Sequence, residues 1–255
     1  MMEFFSEPSN SCQVKPENTL FQPHVAVTTS GISPWLSPVL YFVGNYFLLP
    51  SFFGRISITG KEHIPKTGPV ILAPTHRARW DSLLIPYAAG RYVTGRDLNF
   101  MVSNNECRGL QGWFVRRMGG FPVDTLHPAV STLRYAVELL HQEQMLVIYP
   151  EGNIFRDGKL HPLKPGIARL ALSAELSHPG LGVKILPISI NYSHPYPCWG
   201  TDVSINIGSA INVKDYTNGK VKQNSKRLTE DLTKDLQRLI NPLVVSHRAF
   251  AESTN

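Results

Sequence analysis

Charge is missing where a soluble chain normally carries it: no Asp, Glu, Lys or Arg occurs between Asn18 and Gly54. Cysteine is scarce too. Cys12, Cys107 and Cys198 are odd in number and lack CxxC spacing, which argues against a disulfide framework and a zinc site and points to free thiols in a reducing compartment. The nine histidines never form HExxH or a Cys/His cluster, so no metal is expected. There is no Gly-x-Ser-x-Gly elbow, and Ser82 follows Asp81 without flanking glycines, which weighs against a serine hydrolase. Gly152 to Lys159 imitates a phosphate-binding loop, but its spacer is one residue too long and Leu160 replaces the Ser/Thr. No repeat is visible, which removes solenoids and propellers.

What is present is apolar and basic. The 255 residues are 42% hydrophobic and only 17% charged, with a net charge of +6. Such a surface favours an anionic partner, but the basic residues are dispersed without an aromatic stacking pattern, so nucleic acid is not expected. The segment MMEFFSEPSN carries Glu3 and Glu7 and no basic n-region, and is not expected to be a secretory signal.

Residues 1–30 are polar and aperiodic, and are read as a mobile arm. Residues 31–54 form an apolar membrane-contact element. Pro38 and Pro50 interrupt it, and the piece between them is about half of the roughly 20 residues a spanning helix needs. An interfacial or re-entrant element is preferred, the competing reading being a helix packed on the domain core. Arg55 and Lys61 lie just beyond it.

From residue 55 short apolar runs alternate with amphipathic ones. Strands are expected at 55–59, 69–73, 98–102, 121–123, 145–149, 184–190 and 202–208, and helices near 80–89, 106–118, 127–143, 165–176 and 224–245. The fold class is therefore α/β: an αβα sandwich with a mixed, largely parallel sheet. Residues 55–215 form the α/β domain, and 216–255 a basic amphipathic helix and tail. That helix is expected to cover one face of the sheet.

THRARWDSLL, residues 75–84, sets His76 and Asp81 five positions apart where a buried strand gives way to a helix. A histidine can take up and release a proton near neutrality, and a carboxylate on its far ring nitrogen fixes the tautomer and steadies the imidazolium. No serine or cysteine nucleophile stands beside the pair, so the nucleophile is read as a substrate hydroxyl. GGFPVDT, 119–125, puts two glycines before a short strand ending in Asp124. YPEGNIFRDG, 149–158, lies at the carboxyl end of another strand, where open α/β sheets bind ligands. There Gly152 permits close backbone approach, Glu151 offers an acceptor and Arg156 an anion partner. ILPISI, 185–190, is a strand broken by Pro187, which suits a sheet edge or a strand end facing a site.

In this order the four blocks resemble the glycerolipid acyltransferases of the lysophosphatidate acyltransferase type, over about residues 55–215. The resemblance makes His76 and Asp81 the catalytic pair. It makes Gly120, Phe121, Val123, Asp124, Glu151, Gly152 and Pro187 the acceptor-binding blocks, and Leu163 to Ala168 looks like the family's segment after the third block. It implies transfer of a fatty acyl group from acyl-CoA or acyl carrier protein, with no cofactor, to the hydroxyl of a lysophospholipid. Backbone N–H groups near the start of the following helix are expected to steady the oxyanion. Arg77 and Arg79 are read either as partners of the acceptor or CoA phosphates or as solvated surface arginines, and His161 as a surface or turn residue. The first choice of acceptor is 1-acylglycerol-3-phosphate, giving phosphatidic acid. Another hydroxyl acceptor, or an inactive lipid-binding relative, is the alternative. Placement at a membrane facing the cytoplasm follows from the same likeness. The pattern departs from the family at Ala78, often serine, and at Thr125 and Ile154, where arginines usually meet the acceptor phosphate. Arg116, Arg117, Arg156, Lys159 and Lys164 are the candidates to replace them.

Overall fold

The computed structural model describes residues 31–124 and 127–240. The expected arm 1–30, Thr125, and the tail with the last residues of the predicted 224–245 helix lie outside the described residues.

Five strands run parallel: β2 (Val70–Pro74), β3 (Leu98–Ser103), β4 (Gly120–Val123), β5 (Met145–Val147) and β6 (Lys184–Tyr192). β7 (Val203–Ile207) is antiparallel to β6, and β1 (Ile56–Thr59) is parallel to β7. The order is β1-β7-β6-β2-β5-β3-β4, with the two-residue β8 (Ile211–Asn212) paired to β6. The mixed, largely parallel sheet is as expected; β8 was too short to read from the sequence.

The central strands are apolar on both faces because helices cover both. Successive side chains alternate. Ile71, Leu146 and Ile185 face a layer made by α6 (Val130–His141), α7 (Gly166–Ser177) and α8 (Val221–Ile240). Val70, Leu72, Val147 and Leu186 face α2 (Leu49–Phe52) and α3 (Asp81–Ala89). Leu228, Leu232 and Leu236 are fully buried, so α8 covers the sheet as expected, with its charges outward. Each such leucine contributes about 1.5–3 kcal/mol of burial. Two short helical elements complete this half: α4 (Arg91–Thr94) after α3, and α5 (Gly109–Arg117) before β4. The expected start of α5 at 106 is instead a 3-10 turn, Asn104–Cys107.

Two expectations are corrected. Prolines do not break the apolar segment: α1 (Leu36–Val43) passes through a π-helical stretch, Gly44–Leu48, directly into α2. Pro38 falls in the first turn, where no N–H partner is needed. The wider π turn precedes Pro50, and Ser51 Oγ donates to Phe47 O at 2.5 Å. One face docks through Ser37, Tyr41 and Leu49, while Trp35, Val39, Phe42, Tyr46 and Phe47 are exposed. No helix among the described residues is long and apolar enough to cross a membrane.

Pro187 is not at a sheet edge. It pairs with Ala73 of β2, and on its other side lies in the gap between the β8 partners and the β7 partners of β6. In a strand the N–H and C=O of one residue point the same way. The missing N–H therefore faces this gap, where Gly208 N donates to Pro187 O at 2.9 Å, and no bond to β2 is lost.

Candidate active site

The carboxyl ends of β2, β5 and β6 meet at one edge, and the site is built there. Thr75, wholly buried, ties the loop after β2 to β6: its N–H donates to Ile188 O and its Oγ1 accepts from Ile190 N, both at 2.9 Å. The chain then turns through residues 76–80 and enters α3 at Asp81.

His76 Nδ1 lies 2.8 Å from Asp81 Oδ2. The Arg77 and Ala78 N–H groups donate to the same oxygen at 2.6 and 2.9 Å, and Tyr192 Oη donates to Oδ1 at 2.5 Å. Asp81 is fully buried, and its charge is met by these donors and by the amino end of α3. Burial, with Asp81 beside it, pushes the Tyr192 phenol far above its ordinary range, so it remains a donor. With Nδ1–H held by the carboxylate, Nε2 is the nitrogen left to accept a proton. Tyr149 stacks on the imidazole with ring centroids 3.9 Å apart and 20° between planes. Among the described residues no serine or cysteine side chain hydrogen-bonds His76, and Ser82 Oγ donates to Arg79 O at 2.8 Å.

This arrangement corrects one expectation. The N–H groups at the start of α3 were candidates to steady an oxyanion. Those of Arg77 and Ala78 are instead committed to Asp81, and those of Asp81 and Ser82 donate to Ala78 O and Arg79 O.

Glu151 lies beneath the loop, 3% exposed. Its oxygens accept from Arg77 Nη1 at 3.0 and 3.1 Å, His76 N at 3.1 Å and His161 N at 3.0 Å. The carboxylate expected to meet a ligand thus brackets the His76 loop from below. Arg77, read as a partner for phosphate or as a solvated surface residue, is 4% exposed and paired with it. His161, read as a surface or turn residue, stacks on Phe155 at 3.7 Å, while Phe155 N donates to His76 O at 2.9 Å.

Gly152 has φ +68°, and a Cβ there would come within 2.6–2.8 Å of the Lys164 side chain. The glycine therefore admits a lysine to the end of β5. Arg156 lies over Tyr196 at 5.0 Å and, with Arg77, Asp157, Tyr192 and Ser193, lines an open cleft of about 230 Å³.

The second block stands apart, on β4 at the far end of the sheet. Phe121 is fully buried in an edge-to-face contact with Tyr135 at 5.1 Å, and Val123 is buried. A Cβ on Gly120 would clash with Val115, so its role is close packing of α5 on β4. Asp124 Oδ1 accepts from His127 N at 3.0 Å in the following turn. The structure joins His76, Asp81, Glu151 and Gly152 at one corner and leaves Arg156 at its rim. Phe121 and Pro187 lie in the interior. Tyr192 and Tyr149 went unread, although each ends an apolar run at the carboxyl edge. Among the described residues no group of three potential metal ligands occurs.

Comparison with known proteins places this geometry. The chain is 26% identical over 172 residues to the 1-acyl-sn-glycerol-3-phosphate acyltransferase of Streptococcus pneumoniae, covering 62% of this chain and 59% of that one. It is 28% identical over 177 residues to glycerol-3-phosphate acyltransferase 1, mitochondrial, of Sus scrofa, covering 62% of this chain and 21% of that one. The chain thus spans less than two thirds of the length of the first of these relatives and about a fifth of the second. Its fold matches the crystal structure of the 1-acyl-sn-glycerophosphate acyltransferase PlsC from Thermotoga maritima. The TM-score is 0.62 at 21% identity, over 82% of this chain and 79% of that one. The family model described as Acyltransferase matches residues 55–191, more than half of the sequence, and the chain belongs to the acyltransferase family.

Proposed function

We propose that the protein moves a fatty acyl group from a thioester, acyl-CoA or acyl carrier protein, to the free hydroxyl of a lysophospholipid. The foremost acceptor is 1-acylglycerol-3-phosphate and the product phosphatidic acid. The observation that carries this reading is the 2.8 Å His76–Asp81 pair with its aspartate saturated and one imidazole nitrogen left over. The likeness to named glycerolipid acyltransferases supports it.

In this reading His76 Nε2 takes the proton of the acceptor hydroxyl as the oxygen attacks the thioester carbonyl. The C–S bond then breaks, and the thiolate leaves with the proton returned from His76. Asp81 stays ionised and holds the ring. General-base help of this kind is worth about 10²–10⁴-fold. A thiolate is a good leaving group, so neither a protein nucleophile nor a metal is required. Arg156 and Lys164 are the cations proposed for the acceptor phosphate, in place of the arginines absent at Thr125 and Ile154. The exposed face of α1 and α2 is proposed to rest in the headgroup region of a membrane.

The test is thioester consumption by the purified protein across a panel of lysophospholipids, lysophosphatidate included. Turnover is expected with lysophosphatidate foremost, and His76→Ala is expected to lower kcat about 10²–10⁴-fold without moving the unfolding midpoint. Near-parental turnover by folded His76→Ala protein would refute the mechanism. A preference for zwitterionic acceptors would refute the acceptor.

A further inference from the structure

We propose that the outer face of α5 docks on an anionic phospholipid bilayer, which sets the carboxyl edge of the sheet against the membrane. Helix α5 contains no acidic residue. Leu110, Trp113 and Phe114 fall at i, i+3 and i+4, and are 85%, 50% and 41% exposed. Side chains of this kind at helical spacing usually face a core. Here the opposite face already holds that contact: a Cβ on Gly112 would come within 2.1 Å of the Cys107 backbone.

The charges choose the partner. Arg108 precedes the helix and Arg117 ends it, with the Arg117 guanidinium 4.4 Å from the Trp113 ring. The nearby acid, Glu106, is engaged by Arg79 at 2.7 Å and by Gln111. A second copy meeting this face across a two-fold axis would oppose arginine to arginine. An anionic lipid surface satisfies both the arginines and the aromatic stripe.

Topology gives the docking its purpose. β3 is parallel to β5, and β5 to β2, so α5 follows β3 at the edge that carries His76. The Arg79–Glu106 pair joins the catalytic loop to the turn before α5. At its other end, Gly31 N and Ser33 N donate to Arg116 O and Arg117 O at 3.1 and 3.0 Å, which ties the segment leading to exposed Trp35 to the end of α5. A lysophospholipid would then reach His76 from the bilayer; that last step alone rests on the proposed acyl transfer.

The experiment is sedimentation with phosphatidylglycerol and phosphatidylcholine vesicles. The parent is expected to bind the anionic vesicles. A variant carrying Leu110→Ser, Trp113→Ser and Phe114→Ser is expected to bind them about 10–100-fold more weakly, with an unchanged unfolding midpoint. Arg108→Gln with Arg117→Gln should cost about fivefold per arginine, and the difference should vanish at high salt. Bromine-labelled acyl chains should quench the parent more than Trp113→Phe. In the apolar variant, transfer to a short-chain monomeric acceptor should persist while transfer to a vesicle-borne acceptor falls. Failure of the parent to bind vesicles overturns the proposal. So does full binding by the folded apolar variant, or loss of self-association in that variant with vesicle binding intact. Vesicle binding without any thioester turnover would instead refute the acyl-transfer reading and leave the docking face standing.

Discussion

The His76 corner and the outer face of the α1–α2 helix are built on opposite terms. At the corner the Asp81 carboxylate is filled: four donors meet it at 2.5–2.9 Å, and Glu151 accepts from three more below, Arg77 Nη1 reaching both of its oxygens. On the helix, Trp35 and Tyr46 are 86% and 60% exposed. The two carboxylates of the corner are met within the chain, because a buried charge without partners is costly, while Arg77 Nε and Nη2 and Tyr149 Oη there are buried without a hydrogen-bond partner among the described residues. The helix face is covered by none of the described residues. The contrast separates residues that hold geometry from residues open to a partner.

The sharpest way to break that contrast is Glu151→Ala. If Glu151 brackets the loop, removing it strands the buried Arg77 charge and costs about 3–5 kcal/mol, read as a fall in the denaturant midpoint. A raised KM with unchanged stability would mean instead that Glu151 meets substrate. Next comes Tyr192→Phe, which removes one donor from Asp81. Its kcat should fall about 10–100-fold, in line with a hydrogen bond to a charged group worth about 1.5–3 kcal/mol, with KM little changed. Unaltered kcat would show that Asp81 is held without it. The smallest effect is expected on the helix. Val39→Ser with Phe42→Ser should shift unfolding free energy by only about 0.5 kcal/mol while weakening vesicle partition. A large loss of stability would show that this face is already covered within the protein.

The strand and helix order was legible because the central strands are continuous apolar runs and the helices carry their own periodicity. The His76–Asp81 pair was legible for a similar reason, its members lying five residues apart on one turn. Long-range partners were not. Tyr192 is 111 residues from Asp81, and Arg77 is 74 from Glu151. Nothing local marks either pairing, so the sequence leaves Arg77 open between a phosphate partner and a surface charge. The helix through Pro38 and Pro50 was misjudged because a proline's cost depends on which carbonyl it deprives, and a π turn changes that carbonyl. Pro187 looked like an edge signal for the same reason. Its effect was decided by β7 and β8, which pair to either side of it.

Gly152 has a consequence for how this site is open to change. Its missing side chain is the space through which Lys164 passes, with Cδ, Cε and Nζ all within 2.8 Å of where a Cβ would stand. An alanine there would displace the ammonium without altering the lysine codon, besides straining a backbone at φ +68°. Two positions twelve residues apart therefore behave as one heritable unit. A lineage of this protein can lose the cation at β5 by a change at either position, but keeps it only while the glycine stays a glycine.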